Sequence, residues 1–321
     1  MKRYIVTGGA GFIGSSLSHR LIQRGAEVYV IDDLSTGFKR NLPKGAVFFK
    51  ADISRYGDLA KLKLPSRADA VFHLAAQSSG EASFDDPARD IEVNYKGTFN
   101  VLRLAQAAGC RRFIYSSSMS VYGEAGCGAS KVAETRQCHP VSYYGCNKLA
   151  AERIIERFGK DNGIASTIFR LFSVYGPGQN MLNMKQGIVS IYLSYLLRGK
   201  PIRVKGPLDR FRDLIYIDEV VDLLSRCEGR KDTYYETFNA GTGIGTTVHE
   251  LLRTLLAAYG KDDFAKWTRC KGNTPGDVKG CVADIGKAKR VLRWKPKHNL
   301  RDGIGKMKDW LDRTKDLWTK E

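Results

Sequence analysis

Thr7-Gly8-Gly9-Ala10-Gly11-Phe12-Ile13-Gly14 follows the short apolar run Tyr4-Ile5-Val6 and leads into the periodic segment Ile13–Arg24. Glycines at 8, 11 and 14 allow a tight turn, let backbone N–H groups approach a pyrophosphate, and let a helix pack close to a sheet. The N-terminus of that helix then favours the phosphate charge. The next strand-like run ends in Asp32-Asp33, 18 residues after Gly14. A carboxylate there accepts hydrogen bonds from a ribose 2′-hydroxyl and repels a 2′-phosphate, which favours NAD over NADP. Lys39 and Arg40, close by, argue the other way.

Outward from this loop the pattern alternates. Strand-like runs Val28–Ile31, Val47–Phe49, Ala70–Leu74, Arg112–Tyr115 and Ala165–Leu171 are interleaved with helical patterns, of which Ile91–Ala108 and Tyr144–Phe158 are the longest. Strands separated by helices predict right-handed βαβ units and an α/β fold: a Rossmann-type, doubly wound parallel sheet. Past Tyr175-Gly176-Pro177-Gly178 the alternation weakens, so residues 1–171 read as the dinucleotide-binding domain and 172–321 as a smaller α/β domain. Some later segments are expected to return to the first domain.

The 321 residues carry 52 Lys+Arg against 34 Asp+Glu, a formal charge of +18. The excess is +8 over residues 1–183 (24 basic, 16 acidic) and +10 over 184–321 (28 basic, 18 acidic), so no basic tail exists. The densest stretch, Lys287–Lys297, also holds Val291, Leu292 and Trp294 at helical spacing, and reads as a solvated helix face. No nucleic-acid partner is expected. No apolar run nears the roughly 18–20 residues that cross a bilayer, and Tyr4-Ile5-Val6 starts too early for a secretory signal; the expected place is the cytoplasm. Seven cysteines without a C-x-x-C pair read as thiols, with no metal site and no disulfide framework. Cys127, Cys138, His139 and Cys146 cluster only loosely.

Tyr144 and Lys148 are four apart, so one helix face presents both. A tyrosine is a poor base at neutral pH; an ammonium nearby is expected to lower its pKa. Ser118, ending the run Tyr115-Ser116-Ser117-Ser118, is placed to bond the same substrate hydroxyl.

The glycine spacing, Asp32-Asp33-Leu34-Ser35-Thr36-Gly37, Asp52-Ile53, His73-Leu74-Ala75-Ala76-Gln77 and Asn94-Tyr95-Lys96-Gly97-Thr98 together resemble the extended short-chain dehydrogenase/reductase family. Tyr144-Gly145-Cys146-Asn147-Lys148, Arg212-Asp213-Leu214-Ile215-Tyr216 and Asn239-Ala240-Gly241-Thr242-Gly243 narrow the resemblance to its nucleotide-sugar epimerase and dehydratase branch. It covers nearly the whole chain. It implies NAD held by Gly8, Gly11, Phe12, Ile13, Gly14, Asp32, Asp33, Ser35, Thr36, Gly37, Asp52, Ile53, Leu74, Ala75, Ala76, Gln77, Asn94, Ser116, Tyr144 and Lys148. It implies Tyr144 as base, Lys148 orienting the nicotinamide ribose, and Ser118 assisting. It also implies a nucleotide-sugar substrate in the 172–321 domain and a homodimer formed through the two long helices.

Departures from related branches narrow the chemistry. The 4,6-dehydratases carry an acidic pair directly after the serine or threonine, where this chain has Met119-Ser120. Glucuronate decarboxylases carry Glu at the position of Ser120. A 4-epimerase needs only the Tyr, Ser, Lys and NAD that remain. By the same resemblance Ser118 and Tyr144 meet the sugar, Arg212 clamps the substrate diphosphate, and Asp277 holds the nucleotide ribose. Thr274 stands where a second phosphate-clamping Arg is usual, with Arg269 or Lys271 as candidate replacements. Ser173 and Lys205 also depart from the common pattern, and Cys281 leaves room for an N-acetyl group or a large C5 substituent. A 4-keto reductase, a 2-epimerase and a non-enzymatic RNA- or NAD-binding relative stay open as alternatives.

Overall fold

A computed structural model describes residues 1–124 and 131–319. Six strands come first: β1 Arg3–Thr7, β2 Glu27–Asp32, β3 Val47–Lys50, β4 Ala70–His73, β5 Arg112–Ser118 and β6 Ala165–Leu171. Seven follow: β7 Ser173–Tyr175, β8 Ile202–Val204, β9 Phe211–Arg212, β10 Leu214–Tyr216, β11 Glu236–Ala240, β12 Thr246–Thr247 and β13 Thr268–Cys270. The main sheet has the order β11-β6-β5-β4-β1-β2-β3, and all of its pairs are parallel. The chain therefore reverses direction of winding between β1 and β4, the point at which such sheets open a crevice at their carboxyl ends.

The strands that stand in the middle of the sheet are buried on both faces. Every position of β4, β5 and β6 is buried, which explains why they read as continuous apolar or small-residue runs and not as alternation. The first helix, Phe12–Gln23, buries Gly14, Ser15, Leu17, Ser18 and Leu21, one stripe at helical spacing. Leu17 and Leu21 are worth about 1.5–3 kcal/mol each by burial. Helix Ile217–Arg226 packs on that first helix, and β11 completes the sheet as its edge strand.

Pro87 begins a helical run to Ala107, which widens into a π turn over Ile91–Gly97. The basic stretch near residue 290 forms helix Gly286–Leu292: Lys287 pairs with Glu236 at 2.6 Å, while Leu292 and Trp294 are buried. Among the described residues no helix is long and apolar enough to cross a membrane, and no cluster of His, Cys, Asp and Glu is placed to hold a metal. No disulfide joins any of the six described cysteines; Cys127 lies outside the described residues.

His73, at the end of β4, is fully buried between two hydroxyls, Nδ1 to Thr7 Oγ1 at 2.7 Å and Nε2 to Thr98 Oγ1 at 3.0 Å. Burial, helped by Lys148, pushes its pKa down to about 3. The folded state thus holds it neutral while the unfolded state protonates it near pH 6.5, so stability falls as pH drops below that value. Urea unfolding at pH 7.5 and 5.0 is expected to differ by about 2 kcal/mol from this group. In His73→Gln that share of the pH dependence disappears even though the variant is less stable overall; an unchanged pH dependence refutes the assignment.

Candidate active site

One cavity of about 1310 Å3 runs from the glycine loop across the carboxyl ends of the sheet to the β8, β9 and β13 region. At its first end Gly8 takes φ +71°, and a Cβ there would meet Ala75 N at 2.6 Å. A Cβ on Gly14 would collide with the Gly8 carbonyl, whereas the space beside Gly11 is closed only by that carbonyl at 3.2 Å. No side chain caps the first helix at Gly11. Its first N–H groups are thus left to the cavity, a cradle that fits a dinucleotide pyrophosphate.

Asp32 accepts from Ala10 N–H at 3.0 Å and Leu34 N–H at 2.8 Å and lines the cavity. Burial pushes its carboxyl up and the backbone donors pull the other way. Asp33 is tied to Ser35, and Arg89 bridges Asp52 at 2.9 Å and Asp33 at 3.8 Å. Burial alone would raise Asp52, but Ser54 and Arg89 hold its carboxyl below the usual range. Asp33 and Asp52 share the Arg89 guanidinium, which leaves Asp32 as the carboxylate at this end that repels a 2′-phosphate. Lys39 and Arg40 do not line the cavity, and the Arg40 guanidinium lies over Phe38 (3.9 Å) and Trp318 (4.9 Å) instead.

Of the expected cofactor residues, all but two line the cavity. Gly37 packs on the Ala10 backbone, where a Cβ would come within 2.7 Å, so it supports the glycine loop from behind. Asn94 is buried in the π turn and donates to the Gln77 carbonyl (2.8 Å) and Asp90 (3.0 Å), which fixes the loop after β4. Arg89, unmarked in the sequence reading, lines the cavity through its long-range pairing with Asp52.

Ser118, Tyr144 and Lys148 meet on one wall. Ser142 caps helix Tyr143–Asn162 through Gly145 N–H, which sets Tyr144 in the first turn and Lys148 one turn later, both buried. Burial pushes Tyr144 up to about 12; the Ser118 hydroxyl acts against this and Asp90 adds to it. Burial brings Lys148 down to about 7, opposed by Glu152 and Asp90. The expectation of a lowered Tyr144 is therefore corrected: it is raised, and desolvation drives both groups toward their neutral forms. Ser118 Oγ donates to Ser120 Oγ at 3.1 Å, and the Lys148 ammonium sits 4.3 Å from the Tyr115 ring centre.

At the far end Ser173, Lys205, Arg212, Thr274, Asp277 and Cys281 all line the cavity. Arg212 is bonded to Asp277, and so is Arg210, a residue the sequence reading passed over. The signal was present: Arg210-Phe211-Arg212 has the i, i+2 spacing that puts both guanidinium groups on one side of an extended chain. A segment from Gln179 to Gly187 lines the cavity between the two ends. Asn180 donates to the Thr36 carbonyl (3.0 Å), Ser79 Oγ to the Lys185 carbonyl (2.5 Å), and Lys185 pairs with Asp85 (2.6 Å).

The NAD dependent epimerase/dehydratase family matches over residues 4–241. A UDP-glucose 4-epimerase of Mycolicibacterium smegmatis is 35% identical over 95% of this chain and 96% of its own length. UDP-glucuronic acid decarboxylase 3 of Arabidopsis thaliana is 32% identical over 96% and 88%. Among solved structures, the UDP-glucose 4-epimerase of Thermotoga maritima with UDP-glucose superposes with a TM-score of 0.90 at 34% identity, covering 97% of this chain and 99% of that one.

Proposed function

Because the chain belongs to the NAD-dependent epimerase/dehydratase family, we propose that it is a nucleotide-sugar 4-epimerase. It would act on a UDP-linked hexose, N-acetylhexosamine or hexuronate through a transient 4-keto sugar. The enzyme is NAD-dependent, and the glycine cradle with Asp32 and Asp33 fits that cofactor. The observation that carries the reading is the wall itself: Ser118, Tyr144 and Lys148 stand together, and the residues after Ser118 are Met119 and Ser120. Neither has the carboxylate that a dehydratase or a decarboxylase places there.

NAD, when bound, would supply the hydride acceptor and a positive charge that favours a phenolate. Once ionised to the phenolate, Tyr144 Oη takes the proton of the sugar 4-hydroxyl and gives it back after the ketose has turned its other face. Ser118 would turn its hydroxyl hydrogen from Ser120 Oγ to the sugar 4-oxygen and hold that oxygen against Tyr144. Lys148 would hold the nicotinamide ribose and in its charged form would favour the Tyr144 phenolate. Arg212 meets the diphosphate and Asp277 the nucleotide ribose.

Proton NMR with a panel of UDP-, GDP- and CDP-sugars and catalytic NAD tests this. Inversion at C4 with no net NADH is the expected result. Net reduction that consumes added NADPH points to a 4-keto reductase and overturns the epimerase reading.

The same reading has the protein working in the cytoplasm as a homodimer. Ile91, Tyr95 and Phe99 recur every fourth residue on one helix and stay exposed at 48%, 38% and 36%, an apolar stripe suited to a second copy of itself. Phe99 packs edge-on against Phe158, which continues the stripe toward helix Tyr143–Asn162. Light scattering on a sizing column is expected to give twice the 35.8 kDa chain mass. Tyr95→Glu should halve it; a monomeric wild type would rule the dimer out.

A further inference from the structure

None of the steps assigned to Tyr144, Ser118 and Lys148 uses the carboxylate of Asp90. This residue ends the short helix that Pro87 opens, just ahead of the π turn, and it is fully buried. An interior carboxylate is costly unless its oxygens are satisfied. Oδ2 accepts from Gln77 Nε2 at 2.6 Å and Asn94 Nδ2 at 3.0 Å, and Oδ1 accepts from Asn147 Nδ2 at 2.7 Å. All three donors are neutral amides, and among the described residues no Lys, Arg or His pairs with Asp90.

Two of the amides cannot turn over. Gln77 Oε1 accepts from Ser79 N–H (2.6 Å) while its Nε2 donates to the Ser79 carbonyl (2.9 Å), and Asn94 Nδ2 donates to the Gln77 carbonyl (2.8 Å). Oδ2 is therefore fixed as an acceptor from both, which suits a carboxylate. The amides also come from three places. Gln77 lines the cavity in the loop after β4, Asn94 lies in the π turn, and Asn147 directly precedes Lys148 on helix Tyr143–Asn162. Asp90 itself does not line the cavity.

Lys148 is faced by Tyr144 and Glu152 from its own helix, by the Tyr115 ring of β5 at 4.3 Å, by His73 of β4 and by Asp90. Burial keeps His73 and Tyr115 neutral, and Glu152 is matched by Arg170 at 2.7 Å. Among these groups Asp90 is the carboxylate that no cation neutralises. It favours the ammonium of Lys148 and opposes the phenolate of Tyr144.

Resting on the epimerase reading, we propose that Asp90 is a positioning residue of the reaction. Through Asn147 it holds the helix of Tyr144 and Lys148, through Gln77 and Asn94 it holds the cofactor loop, and its charge supports Lys148 across the join.

NMR titration of the Lys148 side chain in the lysine-labelled full chain, assigned with Lys148→Arg, reads this without substrate. The wild-type midpoint is expected at about 7. In Asp90→Asn the new amide keeps its oxygen toward Gln77 and Asn94 and turns its NH2 to Asn147, whose own amide turns over to accept. Charge is lost while the bonds remain. Removing a carboxylate that raises both groups should lower the Lys148 midpoint by about one pH unit and move the pH profile of C4 inversion the same way. Asp90→Asn/Asn147→Asp restores a charge one link along the network and should return the midpoint to the wild-type value or above. A folded Asp90→Asn with an unmoved midpoint overturns the proposal, and so does a folded swap whose midpoint stays low; the swap decides alone if the single variant does not fold. A midpoint that moves while the pH profile of inversion stays put also overturns it, since Asp90 then has no part in the reaction. If the wild type inverts no sugar while the midpoint moves as expected, the epimerase reading falls and the hold of Asp90 on Lys148 stands.

Discussion

Tyr144→Phe is expected to lower turnover by about 10²–10⁴-fold, the range for loss of a positioned proton-transfer group. The deleted oxygen belongs to a buried, cavity-lining side chain whose backbone is held by the Ser142 cap and whose neighbours Ser118 and Lys148 stay in place. NAD affinity, read by titration of protein fluorescence, should change little because the glycine cradle and the Asp32 end are remote from the hydroxyl. Near-normal turnover in this variant would refute the assignment of Tyr144 as the proton-transfer group.

Glu152→Gln should cost roughly 3–5 kcal/mol of stability and lower the melting temperature by on the order of 10 °C. Glu152 and Arg170 have side chains only 5% and 6% exposed, joined by two bonds, Nη2 to Oε2 at 2.7 Å and Nε to Oε1 at 3.0 Å. Ser117 donates to the same Oε1 at 2.5 Å, and Arg170 also donates to the Glu134 carbonyl at 3.0 Å. Neutralising the acid strands a guanidinium in the interior, a greater loss than removing the pair. Glu152→Leu/Arg170→Met is therefore expected to melt above Glu152→Gln. Glu152 also stands one turn from Lys148 and supports its charged form, so the Gln variant should shift the pH dependence of turnover as well as the melting point. A Gln variant that melts within a degree or two of wild type would show that the pair is not the constraint described.

What the sequence made legible was local. The glycine loop, the first two strands and the helix carrying Tyr144 and Lys148 each announce themselves by spacing over fewer than about ten residues, the reach of backbone geometry and helix periodicity. The features that escaped it depend on partners far along the chain. Arg89 gains its place through Asp52 and Asp33. The π turn at Ile91–Gly97 is indistinguishable by periodicity from the single helix Ile91–Ala108 that was expected. His73, met as part of a motif, turns out to be a neutral packing group because Thr7 and Thr98 sit on its two nitrogens. The shift of Tyr144 was misjudged in direction because spacing reports the nearby ammonium and says nothing of how dry the helix face is. Arg210 was within reach of the pattern, two residues before Arg212 on an extended segment.

The edge of the main sheet has a consequence for how the chain is made. β6 is buried at all seven positions, yet the neighbour that covers its outer side, β11, begins about 65 residues further on. A nascent chain that has emerged only as far as Leu171 carries the nucleotide cradle and the catalytic wall but leaves β6 as an unpaired edge. Such an edge is a template for pairing with other chains. Productive folding must therefore wait until Ala240 has left the ribosome, and a fragment ending at Leu171 would aggregate instead of standing as an independent half.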